Sequence, residues 1–123
     1  MSKSRILLVD DEPDIVETAA FMLQARNYLV STALGGLECI EKARNEHPDL
    51  ILLDIMMPDM DGYDVCMRLK TDEDTKHIPI IMLTAKGESE AVLKSHSLGA
   101  DDYIVKPFSL PTLLGKMKKL LGT

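Results

Sequence analysis

Two short runs, RILLVD at residues 5–10 and LILLD at residues 50–54, are apolar without alternation, and each stops on an aspartate. A strand with one face in water alternates polar and apolar residues, so an unbroken apolar strand is one covered on both faces. Such strands belong to parallel sheets, and parallel neighbours need long crossover connections, usually helices. Strand-length runs recur at 29–33, at 79–84 (PIIMLT) and at 103–105, with windows of helical period between them. Ile15, Ala19, Met22 and Leu23 share one helix face, as do Leu37, Ile40 and the stem of Arg44. Val65, Cys66 and Leu69 form a third stripe, and Leu110, Leu113, Leu114, Met117 and Leu121 form the clearest one. Val92, Ser95 and Leu98 give a weaker, more polar helix.

The punctuation agrees. Pro13 suits a first helical turn, Pro48 breaks the chain before the third strand, and Gly99 follows Leu98 as a stop. Ser109 can cap the last helix with Pro111 in its first turn, and Lys116, Lys118 and Lys119 fall near its C-terminal end on what reads as a solvated face. The order βαβαβαβαβα predicts an α/β fold, a doubly wound, flavodoxin-like five-stranded parallel sheet with helices on both faces and right-handed crossovers. The strand order that fits is 2-1-3-4-5, with its topological switch between the first and third strands. Ligands of such folds bind beyond the carboxyl ends of the strands at that switch.

Composition narrows the class. A chain of 123 residues is expected to be one domain, residues 1–123, with a core that needs no disulfide. Its net charge of -6 disfavours direct nucleic-acid binding, which calls for clustered Lys and Arg. Cys39 and Cys66 read as reduced core thiols, no apolar stretch nears the about 18 residues of a membrane span, and the N-terminus lacks a secretory pattern; a cytoplasmic location is expected.

Chemistry concentrates where the fold predicts a site. Asp10 and Asp11 end the first strand, Asp54 the third and Thr84 the fourth, and Lys106 follows the fifth. Helix capping accounts for Asp10 or Asp11 alone, but not for Asp54, Thr84 and Lys106 with them. Three convergent carboxylates repel one another and require a cation. With only oxygen donors nearby, and His47, His77 and His96 dispersed, that cation is expected to be Mg²⁺, assisted by the Lys106 ammonium. A hydroxyl, an ammonium and a metal around a carboxylate suit an incoming phosphoryl group, with Asp54 on the central strand as nucleophile.

The strings LLVDDE, LLDIMMPDMDG, IIMLTA and GADDYIVKPF, in this order and spacing, closely resemble the receiver domain of bacterial two-component response regulators across essentially the whole chain. That family has the 2-1-3-4-5 order, so the strand order above is not independent of the resemblance. The resemblance implies Asp54 as phosphoacceptor, Asp11 as a direct metal ligand, Asp10 as a ligand through water and the Met56 backbone carbonyl as a further ligand. It implies that Lys106 pairs with the phosphoryl group, that Thr84 and Tyr103 form the switch pair, and that the Lys106–Pro107 peptide is cis. The expected function is a phosphorylation-activated signalling switch, charged by a sensor histidine kinase or phosphotransfer protein, and not a turnover enzyme.

Several positions give this chain its own character. In this family the residues two after the acceptor and two after the switch threonine affect phosphoryl lifetime; here they are Met56 and Lys86, neither able to orient an attacking water, so slow self-dephosphorylation is expected. Gly115 inside the last helix suggests close approach of a partner or a neighbouring element rather than a helix kept pliable. LPTLLGKMKKLL lacks the acidic residues of a charged dimerisation pattern, so a monomer is expected. The face made by the 92–98 helix, the fifth strand and the last helix then serves an unknown protein target. One alternative is the receiver portion of a longer regulator. Another, an aspartyl-nucleophile phosphatase, wants an acid two residues after the nucleophile, where Met56 stands. Flavin binding lacks its phosphate loop after the first strand, and Gly35-Gly36 reads as a helix-start turn.

Overall fold

The computed structural model describes residues 3–85 and 99–122. Its order is β1 (Arg5–Val9), α1 (Pro13–Gln24), β2 (Leu29–Ala33), α2 (Gly36–Glu46), β3 (Leu50–Asp54), α3 (Gly62–Thr71), β4 (Ile80–Ala85), β5 (Asp102–Lys106) and α4 (Leu110–Leu121). The five strands pair in parallel in the order β2-β1-β3-β4-β5, as predicted. The polar helix expected around Val92, Ser95 and Leu98, together with Lys86 and His96, lies outside the described residues.

The unbroken apolar strands are explained by two cores, one on each side of the sheet. Alternate residues Leu7, Val9, Ile51, Leu53, Ile80 and Met82 face α2 and α3, whose Cys39, Ala43, Val65, Cys66 and Leu69 cover them. The intervening Ile6, Leu8, Leu50, Leu52, Ile81, Leu83 and Ile104 face α1 and α4 through Val16, Ala20, Leu23, Leu113 and Met117. Both cysteines are buried thiols outside any disulfide, and burial pushes Cys39 up to about 12 and Cys66 to about 11.

Two helix faces are rotated by about one residue from expectation. On α1 the buried positions are Val16, Ala20 and Leu23, with Ala19 partly buried, while Ile15 and Met22 are exposed. On α2 they are Gly36, Cys39 and Ala43, with Leu37 61% exposed, Ile40 at the margin and Arg44 turned to an ion pair with Asp72. On α2 every buried residue is small, so bulk does not mark the inner face of that helix.

The ends follow the predicted signals. Pro13 opens α1, with Glu12 rather than Asp11 in the capping position. Ser109 caps α4 by accepting from the Thr112 N–H, and the Lys106–Pro107 peptide is cis. No described element of the chain makes the close approach expected at Gly115, since an added Cβ would meet nothing within 4 Å among the described residues.

Candidate functional site

The two-residue period of the strands assembles the site. Continued one residue past β1, the alternation that turns Ile6 and Leu8 toward α1 and α4 does the same for Asp10; it places Asp54 after Leu52 and Lys106 after Ile104 on that same side. The neighbouring strands β1 and β3, together with β5 on the far side of β4, thus deliver two carboxylates and one ammonium to one corner. Lys106 Nζ donates to Asp10 Oδ2 and to Asp54 Oδ1, each at 2.9 Å. Asp10 is 1% exposed and Asp54 6%. The other Asp10 oxygen accepts from the Glu12 N–H at 3.1 Å, so the bend that starts α1 also orients the carboxylate.

Burial is the largest influence on Asp54 and raises its pKa above the ordinary carboxylate value. The Lys106 hydrogen bond and charge oppose it, while the Asp10 and Asp11 charges add to it. For Lys106, burial acts to lower the pKa, but the hydrogen bonds and charges of Asp10 and Asp54 outweigh it and hold the ammonium above its usual range.

Carboxylate oxygens of Asp10, Asp11 and Glu12 gather within 4.8 Å of one another. Asp54 lies outside this tight group and is joined to Asp10 through their shared Lys106. The donor set is oxygen only and strongly acidic against a single ammonium, which fits a hard divalent cation. His47 and His77 are both exposed, and neither belongs to this group. Glu12 is the member that the sequence reading passed over, although its signal stood in the DDE string.

On the opposite side of the sheet, Thr84 is 1% exposed, and its hydroxyl makes a long 3.5 Å bond to the Ile104 carbonyl. Tyr103 is half-buried and packs against the α2 and α3 core. Lys116, read from sequence as solvated, instead lies 5.4 Å over the Tyr103 ring and donates to Asp102 at 3.1 Å. Beside Lys106, an apolar cleft of about 500 Å³ between α1 and the turn into α4 is walled by Leu8, Ile15, Ala19, Leu83, Pro107 and Phe108.

The loop from β3 to α3 completes the corner. Met56 lies in it with its side chain 68% exposed. Asp61 caps α3 by accepting from the Asp64 N–H at 2.9 Å. A Cβ on Gly62 would sit 2.5 Å from the Asp54 carbonyl oxygen, so this position needs glycine to let α3 start against the backbone of the candidate nucleophile.

Comparison with known proteins agrees with this geometry. The model of the response regulator receiver domain matches residues 6–118. The DNA-binding dual master transcriptional regulator RpaA of Synechocystis sp. is 41% identical over 95% of this chain and 48% of its own length. The chain therefore spans about half the length of the curated relatives it matches. Among solved structures, chemotaxis response regulator CheY4 of Vibrio cholerae superposes with a TM-score of 0.90 at 32% identity, covering 97% of this chain and 99% of its own. Response regulator protein TrrA of Thermotoga maritima, in complex with Mg(2+)-BeF, gives 0.85 at 39% identity over 95% and 98%.

Proposed function

Because the chain belongs to the response regulator receiver domain family, we propose that it is a phosphorylation-activated signalling switch with Asp54 as phosphoacceptor. The observation that carries this reading is the Lys106 ammonium shared at 2.9 Å between the buried carboxylates of Asp10 and Asp54. Asp54 is the carboxylate on the central strand, and raising its pKa makes its oxygen a stronger nucleophile once ionised. An Asp54 oxygen attacks the phosphorus of a phosphohistidine on a histidine kinase or phosphotransfer protein. The P–N bond breaks with its electrons returning to the imidazole, and an acyl phosphate forms. Water later cleaves that phosphate and restores the carboxylate. The domain promotes its own transfer but is not a turnover enzyme.

Asp11, Asp54, the Met56 carbonyl and, through water, Asp10 would hold Mg²⁺. When bound, the metal supplies positive charge to the phosphoryl oxygens. Lys106 neutralises a further oxygen and Thr84 donates a hydrogen bond, after which Tyr103 follows inward. The changed face of the 92–98 segment, β5 and α4 then selects a protein target. Met56 beside the acceptor and Lys86 beyond Thr84 give no amide or carboxylate to orient water, so the phosphoryl group is long-lived. The receiver unit occupies residues 1–123 and works in the cytoplasm as a monomer, its Asp102 and Lys116 satisfied within one chain.

A second reading, the receiver portion of a longer regulator, is favoured by the relatives' roughly double length. The aspartyl phosphatase alternative still finds Met56 where it needs an acid. The test is treatment with acetyl phosphate and Mg²⁺ followed by intact mass. Wild type gains one acid-stable, base-labile phosphoryl group and Asp54→Asn gains none; labelling of the variant, or labelling without metal, overturns the assignment.

A further inference from the structure

The Gly35-Gly36 pair has a structural partner that the switch reading leaves unused. Asp59, in the loop between β3 and α3, accepts from the Gly36 N–H on Oδ1 at 3.0 Å and from the Leu37 N–H on Oδ2 at 3.2 Å. These backbone bonds are the largest influence on Asp59 and hold its carboxyl below the usual range. The junction is tight at both glycines. A Cβ on Gly35 would lie 3.0 Å from both Asp59 oxygens, and one on Gly36 would lie 2.7 Å from Val65 Cγ2 and 2.9 Å from Met60 Cβ. The start of α2 is therefore clasped onto the loop that carries Met56.

That loop is pinned at its other end as well, where the Gly62 N–H donates to the Ile55 carbonyl at 2.8 Å and the Ile55 N–H donates to the Leu83 carbonyl at 3.4 Å. Met56 lies between these anchors and Asp59, with its side chain in solvent while its neighbours Ile55 and Met57 are buried. We infer that Asp59 is a positioning residue for the metal site: by clasping the Gly35-Gly36 start of α2, it fixes the loop that presents the Met56 carbonyl. This rests on the metal-site reading above. Indirect partners of metal ligands shift affinity by roughly 10–100-fold, and Asp59 acts at one further remove, through the loop backbone. An effect near the lower end, about tenfold, is expected.

The test is calorimetric titration of the whole chain with Mg²⁺ alone, beside urea unfolding of each variant. Asp59→Ala weakens Mg²⁺ binding about tenfold, and Asp59→Asn, which retains one acceptor oxygen, falls between it and wild type. Gly35→Ala leaves every charge in place but sets a Cβ 3.0 Å from both Asp59 oxygens, so the carboxylate must shift against the α2 start, and it weakens binding in the same direction. An unchanged Mg²⁺ dissociation constant in folded Asp59→Ala, with only stability reduced, overturns the inference and leaves the metal site standing. So does normal binding in Gly35→Ala beside weakened Asp59→Ala, because charge alone is then responsible. Wild type that takes up no Mg²⁺ overturns the metal-site reading and this inference together.

Discussion

One substitution made at two glycines should have opposite consequences. An Ala Cβ at position 62 would lie 2.5 Å from the Asp54 carbonyl oxygen and 2.7 Å from Ile55 Cα, about 0.9 and 0.7 Å short of the 3.4 Å where ordinary contact begins. Both obstacles are backbone and cannot rotate aside, and the 2.8 Å bond from the Gly62 N–H to the Ile55 carbonyl ties the colliding segments together. Overpacking of this kind costs about 1–3 kcal/mol. Against it stands a gain of about 0.4–1 kcal/mol from the lower entropy of the unfolded chain. The clash wins, and Gly62→Ala should lose roughly 1–2 kcal/mol net. At Gly115, exposed inside α4, nothing described lies within 4 Å of the added atom. Only the helix-propensity and entropy gain remains, about 0.5–1 kcal/mol. Urea unfolding should move the Gly62→Ala midpoint down by about 0.5–1 M and the Gly115→Ala midpoint up by a smaller amount. Because the atoms displaced at position 62 belong to Asp54, its phosphorylation rate should also fall, while Gly115→Ala keeps the wild-type rate. A Gly62→Ala protein as stable as wild type would refute the close-contact reasoning.

Further outcomes follow from the same geometry. The Asp54 pKa is raised in the fold, so this group favours the folded state below the ordinary value of 3.8 and loses that contribution as pH rises through the folded value. Asp54→Asn should therefore be more stable than wild type near neutral pH, with the difference shrinking on acidification; urea melts across pH check it, and a difference that grows toward acid contradicts it. Met56→Asn should shorten the phosphoryl lifetime, measured as phosphate release after the donor is removed, and an unchanged rate sinks the role assigned to Met56. Burial pushes the Cys39 thiol up to about 12 and Cys66 to about 11, so both should resist alkylation until urea opens the fold. Rapid labelling of the native protein would show that the α2 and α3 core is open.

The sheet was legible because the apolar runs of β1, β3 and β4 are covered on two faces and Asp10, Asp54, Thr84 and Lys106 stand at strand ends. Parity then brings Asp10, Asp54 and Lys106 to one corner, a consequence of the two-residue period. Helix faces were less legible. Ala20, Ala43 and Gly36 lie inside although they are small, while the bulkier Ile15, Met22 and Leu37 are left outside. Partners distant in the chain were hidden altogether. Asp59 reaches back 23 residues to Gly36, and Lys116 meets Asp102 and Tyr103 only once α4 folds beside β5. No local pattern encodes either contact.

On the proposed function, one carboxylate, Asp54, carries the phosphoryl group. Borohydride reduction of the protein labelled with acetyl phosphate and Mg²⁺ converts an aspartyl phosphate to homoserine, which peptide mass mapping then locates. Homoserine at position 54 and at no other aspartate is the predicted result. Homoserine at Asp10 or Asp11, or a labelled protein that yields none, would contradict the account.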